Sequence, residues 1–295
     1  MSSPARSIHP TAIVSPEAEL ADGVSIGPGC IVEGKVKLAE GVRLIAQVHL
    51  NGPVEIGART MLYPGVCIGF PGQDFKFKIG DPTAGVVVGA DCLLREHATI
   101  HAATKPDKPT SIGDGVMMMV NAHVGHDARV GNRVIMVNNS CIAGHAQLDD
   151  QVTLSAGALV HQFVRVGRLV FFQGKGGASL DVPPFCVAVR DNTLAGVNLV
   201  GMRRSGIPRE HITVVRKTFS EVFKRVRPTS EMLEELDAIG ATCPPVAEMA
   251  AFVRASTRGI APGFGRPPKG WITFAGGQRR GEPVAISDDE DDDAQ

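Results

Sequence analysis

The 295-residue chain has no apolar run approaching twenty residues and no leader with a basic start and short apolar core, so it reads as a cytoplasmic protein without a membrane span. Its six cysteines, Cys30, Cys67, Cys92, Cys141, Cys186 and Cys243, show none of the spacings of a disulfide framework, redox motif or metal site. They read as reduced packing residues. Neither sign of charge is in excess: the formal net charge is −1, which gives no reason to expect a nucleic-acid partner. The acidic groups are unevenly placed, because six of them run from Asp288 to Asp293; without these the remainder carries +5. Preceded by Gly and Pro, this run makes residues 259–295 read as a disordered acidic tail.

What the chain does have is a beat of six. Apolar residues stand at Ile8, Val14, Leu20, Ile26, Val32, Leu38, Leu44, Leu50, Ile56, Leu62 and Ile68, resume at Val88, Leu94 and Ile100, and continue from Ile112 by sixes to Ala178. The fourth residue after each marker is small or β-branched, as at Val24, Cys30, Val36, Ala122 and Val134, so two positions in six face an interior. This period fits neither a helix face nor one amphipathic strand. It is the signature of hexapeptide-repeat β-helices. A sandwich of short strands spaces its turns at roughly 8–12 residues and seldom keeps them in phase.

Two excursions interrupt the beat, near residues 69–87 and 102–111, and on so regular a scaffold they read as binding loops. Residues 1–185 thus form the β-helix. After Pro183 and Pro184 the beat stops, and residues 186–258 read as a small α-helical domain, with Ile212, Val215, Phe219, Val222 and Phe223 on one face and Thr229 and Ser230 as candidate caps of the next helix. Arg209, Arg216, Lys217, Lys224, Arg225, Arg227, Arg254 and Arg258 lie on the opposite faces, a charge that suits an acidic protein partner.

Between Met118 and Val166 the outward positions carry His123, His126, His145 and His161, where short polar residues would suffice. If three hexads make one coil, as in the left-handed β-helix family that this pattern resembles, residues eighteen apart become neighbours on adjacent coils. His126 then lies over Gly144, Gly144 over Gln162, and Asp127 over His145. A carboxylate can hold a histidine in one tautomer, and a glycine beside it leaves a backbone N–H for a substrate oxygen. A base beside an oxyanion donor suits acyl transfer. His97 and His101 read as surface or subunit-interface residues.

The motifs LREHATIH (94–101), GQDFKF (72–77), NAHVGHDARVGN (121–132), VNNSCIAGH (137–145), VHQF (160–163), DVPP (181–184) and GVNLVGMRR (196–204) make residues 8 to about 258 resemble the UDP-N-acetylglucosamine O-acyltransferases of lipid A biosynthesis. The resemblance implies a cytoplasmic homotrimer of left-handed parallel β-helices with sites between subunits. It implies transfer of an R-3-hydroxyacyl group from acyl carrier protein to the glucosamine 3-hydroxyl of UDP-N-acetylglucosamine. By the same resemblance His126 is the general base, Asp127 its orienting partner and Gly144 the oxyanion donor. Gln73, Asp74, Lys76, His123, His145, His161, Gln162, Asn198 and Arg204 match substrate contacts, and the stretch with Phe171, Gln173, Gly174 and Lys175 matches the acyl-chain ruler. No metal or cofactor is implied, since the phosphopantetheine belongs to the carrier protein.

The chain departs from that pattern where Val200 replaces an acidic residue and Ser205 a second arginine, and residues 187–196 run one residue short, which puts uridine recognition in doubt. Chain length, and whether the acceptor carries a 3-hydroxyl or a 3-amine, stay open. Four other readings compete. The later N-acyltransferase of the same pathway has a uridine-binding domain before its hexads, for which there is no room here, and acetyl-CoA-dependent hexapeptide transferases lack the helical extension and the QDFKF loop. A γ-class carbonic anhydrase shares the fold and binds zinc through three histidines, but His123 and His126 do not match that ligand spacing. A non-catalytic scaffold leaves the clustered histidines unexplained.

Overall fold

The computed structural model describes residues 6–78, 80–225 and 227–263; from residue 264 the expected acidic tail lies outside the described residues. Each hexad forms one short strand and one corner. In Arg129–Val130 the first residue is exposed and the second buried, and the same alternation recurs from strand to strand. Strands pair in parallel with the strand one coil on, so that His123 pairs with Cys141 and Cys141 with Leu159, the eighteen-residue register. The result is three sheets of eleven, nine and eight strands, here called first, second and third, wound into the left-handed parallel β-helix expected from the hexads.

The interior is filled as the beat requires. Markers such as Leu44, Leu94 and Met118 and fourth positions such as Val24, Cys30 and Val134 are buried in one continuous core. Thr60, a polar residue at a fourth position, donates its hydroxyl to the Gly89 carbonyl at 2.9 Å and accepts the Cys92 N–H at 3.1 Å. The first coil is the open end, and there the pattern overstates burial: Ile8 is 48% exposed and Val14 only half-buried.

Corners turn through a residue with positive φ, three places after the marker. Gly23, Gly29, Gly41 and Gly65 stand at this position in early coils, but Asp127 (φ 59°), His145 (62°) and Phe163 (65°) stand there later. Such a backbone costs an L-residue roughly 1–2 kcal/mol. The corner between the second and third sheets is the one that deviates. Strands Cys67–Phe70 and Val86–Val88 bracket the first excursion, and Thr99–His101 and Thr110–Ile112 the second, so both loops leave the helix at this corner on successive coils. They are tied together: Ala84 N–H donates to the Lys105 carbonyl at 2.9 Å, and the N–H groups of Ala103 and Thr110 both donate to the Gly85 carbonyl at 3.1 Å.

The α-helical unit begins later than residue 186. Strands Cys186–Val189 and Thr193–Val197 form an antiparallel hairpin at the end of the first sheet, because Phe172 and Ala188 can still pair in register. Helices α1 (Leu199–Arg204), α2 (Arg209–Thr218), α3 (Thr229–Gly240) and α4 (Pro244–Arg254) follow. The predicted apolar face is buried, with α2 running into a π-helical turn at Phe219–Phe223. Thr229 and Ser230 do not cap α3: Pro228 occupies the N-cap, its fixed φ suiting the helix entry, and both hydroxyl residues fall inside the first turn. The unit closes the end of the β-helix through a bidentate Arg168–Glu248 pair (3.0 and 2.8 Å) and the buried Asp181 carboxylate, which accepts from Arg165 N–H and Ser256 hydroxyl, both at 2.8 Å. Part of the expected basic face is used internally, since Arg254 pairs with Asp237 and Arg258 donates to the Ser179 carbonyl. Among the described residues no helix is long and apolar enough to cross a membrane.

Leu94 is fully buried mid-helix whereas Ile8 faces the open end. Leu94→Ala is therefore expected to cost about 2–5 kcal/mol and Ile8→Ala less than about 1 kcal/mol, readable as a large against a small drop in melting temperature.

Candidate active site

Five successive coils place their unusual residues on the one deviating corner. The two excursions come first; then His126 and Asp127 follow strand His123–Val124, Gly144 and His145 follow Cys141–Ile142, and His161, Gln162 and Phe163 surround the turn after Leu159–Val160. Counting by eighteens therefore located the neighbours, but the contacts differ in one respect. Asp127 was expected against His145; its Oδ2 lies 3.7 Å from His145 Nε2 and only 2.7 Å from Nδ1 of His126, the adjacent residue. The positive φ of Asp127 swings its carboxylate back beneath the preceding imidazole.

The carboxylate is held from three sides. The Thr104 N–H and hydroxyl donate to it at 3.1 and 2.7 Å, and the Asp127 N–H is itself fixed by the Thr110 hydroxyl at 2.8 Å. Burial pushes the Asp127 carboxyl up, but the bonds from His126 and Thr104 outweigh it and the net shift is downward. An ionised carboxylate only accepts, so Nδ1 of His126 carries a proton and the lone pair of the neutral ring is at Nε2.

That nitrogen abuts Gly144. A methyl group built on Gly144 would stand 2.6 Å from both Cε1 and Nε2 of His126, and one on Gly72 would stand 2.8 Å from its Cβ. The imidazole is thus sandwiched between the tip of the first excursion and the next coil, in slots that only glycine leaves open. Among the described residues the Gly144 N–H has no acceptor within the chain, because a corner residue lies outside the strand ladder. A lone pair at Nε2 and an N–H without an acceptor among the described residues thus stand on adjacent coils.

On the second-sheet side, His123 Nδ1 lies 2.7 Å from the Thr99 hydroxyl, and the ring of His101 meets it edge-on at 4.7 Å. His101 is therefore part of the cluster within this chain. His101 follows the buried Ile100 in the outward phase and is half-buried there. Burial first, then the neighbouring His101 and His126, push His123 down to about 4, and burial also lowers His145 despite the nearby Asp127. The Phe163 ring stacks on His145 at 4.6 Å and 4°, continuing the Asp127–His145 column onto the next coil.

Other expected residues stand elsewhere. Gln73, Asp74 and Lys76 belong to the first excursion, where Asp74 Oδ1 accepts the Lys76 N–H at 2.9 Å and stiffens the loop that delivers Gly72. His161 and Gln162 are exposed on the catalytic corner. Gln173, Gly174 and Lys175 lie on a different corner, between the first and second sheets, with Phe171 in the strand before it. Asn198 is engaged at both ends, accepting the Gly201 N–H and donating to the Leu169 carbonyl, each at 2.8 Å, so that it caps α1. Arg204 and Val200 are exposed on the same helix. Missed altogether were Gly72, Thr99, Thr104, Thr110 and Phe163. Phe163 alone carried a signal, as a bulky residue at a corner position that favours glycine.

His126, Asp127 and His145 are also the group whose potential metal-ligand atoms lie within 4.8 Å of one another among the described residues. Two of those atoms, Nδ1 and Oδ2, are 2.7 Å apart in a hydrogen bond. Ligands at 2.0–2.1 Å from a tetrahedral zinc would be about 3.3 Å apart. The His126–Asp127 pair has the spacing of a hydrogen bond, as an oriented base requires.

With this arrangement described, known proteins can be set beside it. Residues 181–261 match the family model described as UDP N-acetylglucosamine O-acyltransferase, domain 2. The acyl-[acyl-carrier-protein]–UDP-N-acetylglucosamine O-acyltransferases of Stutzerimonas stutzeri and of an Anaeromyxobacter species are 39% and 40% identical to the chain, each over 86% of it and 98% of the relative. The solved UDP-N-acetylglucosamine acyltransferase of Francisella novicida superposes with a TM-score of 0.82 at 30% identity, covering 86% of this chain and 93% of that one.

The low value for His123 makes a prediction. As pH falls from 6.5 to about 4, an unfolded chain protonates this residue while the folded one does not, so folded stability attributable to it is lost at up to about 1.4 kcal/mol per pH unit. The melting temperature of His123→Gln should therefore gain on that of the unaltered protein between pH 7 and pH 4.5. A gap independent of pH would contradict the assignment.

Proposed function

The chain belongs to the acyl-[acyl-carrier-protein]–UDP-N-acetylglucosamine O-acyltransferase family, and from that premise we propose that it moves an R-3-hydroxyacyl group from acyl carrier protein to the glucosamine 3-hydroxyl of UDP-N-acetylglucosamine, the first step of lipid A biosynthesis. The observation that carries the reading is the order Asp127, His126, Gly144: an orienting carboxylate, a base with its outer lone pair free, and an unpaired N–H beside it.

In this reading His126 Nε2 takes the proton of the sugar 3-hydroxyl as its oxygen attacks the thioester carbonyl. The carbonyl oxygen becomes an oxyanion, stabilised by the Gly144 N–H, and Asp127 stabilises the imidazolium now formed. Collapse breaks the carbon–sulfur bond, and the departing thiolate takes the proton back from His126. Charge and proton balance without a cofactor bound to this chain. Neutral His123 and His145 line the site as hydrogen-bonding groups, and Gln73, Asp74, Lys76, His161, Gln162, Asn198 and Arg204 contact substrate.

We propose a cytoplasmic homotrimer as the working form, and the distribution over corners supports a site shared between copies. Within one chain the base sits between the second and third sheets, the ruler residues Phe171, Gln173, Gly174 and Lys175 at the next corner back, and α1 at the end of the helix. One acyl chain can meet both the base and the ruler only if a second copy brings its ruler corner to the first copy's base.

His126→Ala should lower kcat by roughly 10²–10⁴ while trimer formation and sugar-nucleotide binding persist; retained acyl transfer from hydroxyacyl carrier protein would overturn the base assignment. Gly144→Ala should lower kcat comparably, because its new methyl group displaces the imidazole. Chelator treatment should leave activity unchanged, and loss of activity with zinc found by elemental analysis would favour the metalloenzyme reading.

A further inference from the structure

A groove of ≈ 380 Å³ runs between α1 and α2, walled by Leu199 and Arg203 from the first helix and by Arg209, Ile212, Thr213 and Arg216 from the second. On α2 these residues stand three and four apart, which sets them on one face. Three permanent cations line the groove and no acid does. Elsewhere on the helical unit basic groups find carboxylates, Lys217 at Glu221, Arg227 at Glu235 and Arg254 at Asp237; among the described residues Arg203, Arg209 and Arg216 are in no such pair. Arg204, the expected substrate contact, is not one of the walls. Unpaired guanidinium groups around one groove repel one another, and an acidic ligand removes that repulsion.

One acidic segment is attached within reach. The described chain ends against the continuation of α2, where Gly263 N–H donates to the Phe223 carbonyl at 3.1 Å. Beyond it the sequence carries the six-acid run Asp288–Asp293, preceded by Val284 and Ile286, and the stretch matched to the family's second domain stops short of them at residue 261. From Phe223 back to Arg209 is about 21 Å along a helix. Residues 264–287, which separate Gly263 from the run, can span up to about 80 Å. The order of residues fits as well, since a short apolar pair followed by acids faces an apolar floor of Leu199 and Ile212 edged by arginines.

We propose that this groove is the docking site of the chain's own acidic run, with Asp288–Asp293 on Arg203, Arg209 and Arg216 and with Val284 and Ile286 on Leu199 and Ile212. Each exposed ion pair is weak by itself. Tethering compensates, because a linker of this length supplies the acids at an effective concentration in the millimolar range, so even a weak site is occupied. This contact is independent of the acyl-transfer reading above.

The test is photocrosslinking of the full-length chain carrying p-benzoylphenylalanine in place of Ser287, beside the acidic run, with mass spectrometry of the linked peptides. Arg203, Arg209 and Arg216 are exposed, so Arg203→Gln/Arg209→Gln/Arg216→Gln keeps the fold. A second variant, with Glu290→Gln and the Asp residues of the run changed to Asn, leaves the described body untouched. The expected result is a principal crosslink to residues 199–216, in the same or a neighbouring copy, whose yield falls about fivefold or more in either variant and likewise at about 0.5 M salt. A principal crosslink elsewhere, no crosslink, or a yield indifferent to either variant or to salt would each overturn the proposal. An unchanged crosslink in the arginine variant, together with a raised KM for acyl carrier protein or for UDP-N-acetylglucosamine, gives the groove to that substrate and overturns it too.

Discussion

Backbone N–H groups on each coil donate to carbonyls on the coil eighteen residues further on, as His123 N–H does to the Ser140 carbonyl at 2.9 Å and Gly125 N–H to that of Ile142 at 2.9 Å. This ladder makes the spacing between coils the same everywhere, about that of paired strands. Side chains at equivalent corner positions must therefore meet. Asp127, His145 and Phe163 form a column for that reason alone, as do His126, Gly144 and Gln162 one position earlier. The scaffold supplies rigid placement, and the chemistry comes from which residues are set on one corner.

That corner carries the costs expected of a functional site. Asp127, His145 and Phe163 hold a backbone conformation that glycine adopts freely at other corners. Burial of the Asp127 carboxylate, unfavourable by itself, is offset by the bonds from His126 and Thr104. The two excursions do more than cover the corner. The first brings Gly72 against His126, the second brings Thr104 to Asp127, and the bonds from Ala84 to Lys105 and from Ala103 to Gly85 make them one unit.

The hexad beat made the β-helix, its core and the stacking of His126 on Gly144 legible, because a fixed period is a property of sequence as much as of structure. It failed at three kinds of place. At the open end, Ile8 and Val14 keep the pattern without a neighbouring coil to bury them. Inside the excursions no period exists, so nothing located Thr104 beneath Asp127 or Gly72 on the imidazole. His101 keeps the outward phase, but the second excursion lengthens its coil, so a count of eighteen does not place it beside His123. The pairing of Asp127 with its own neighbour His126 depended on a positive φ at the corner, which stacking arithmetic does not contain. Residues 186–197 lacked the beat and were read with the helices, although they still extend the first sheet.

The account stands on the proton at His126 Nδ1, since only then is Nε2 free to act as base beside Gly144. Nitrogen-15 NMR of the full-length protein at neutral pH measures this directly. The account predicts a pyrrole-type shift at Nδ1 and a pyridine-type shift at Nε2 of His126, with that preference lost in Asp127→Asn. The opposite tautomer in the unaltered protein, or one indifferent to the substitution, would contradict it.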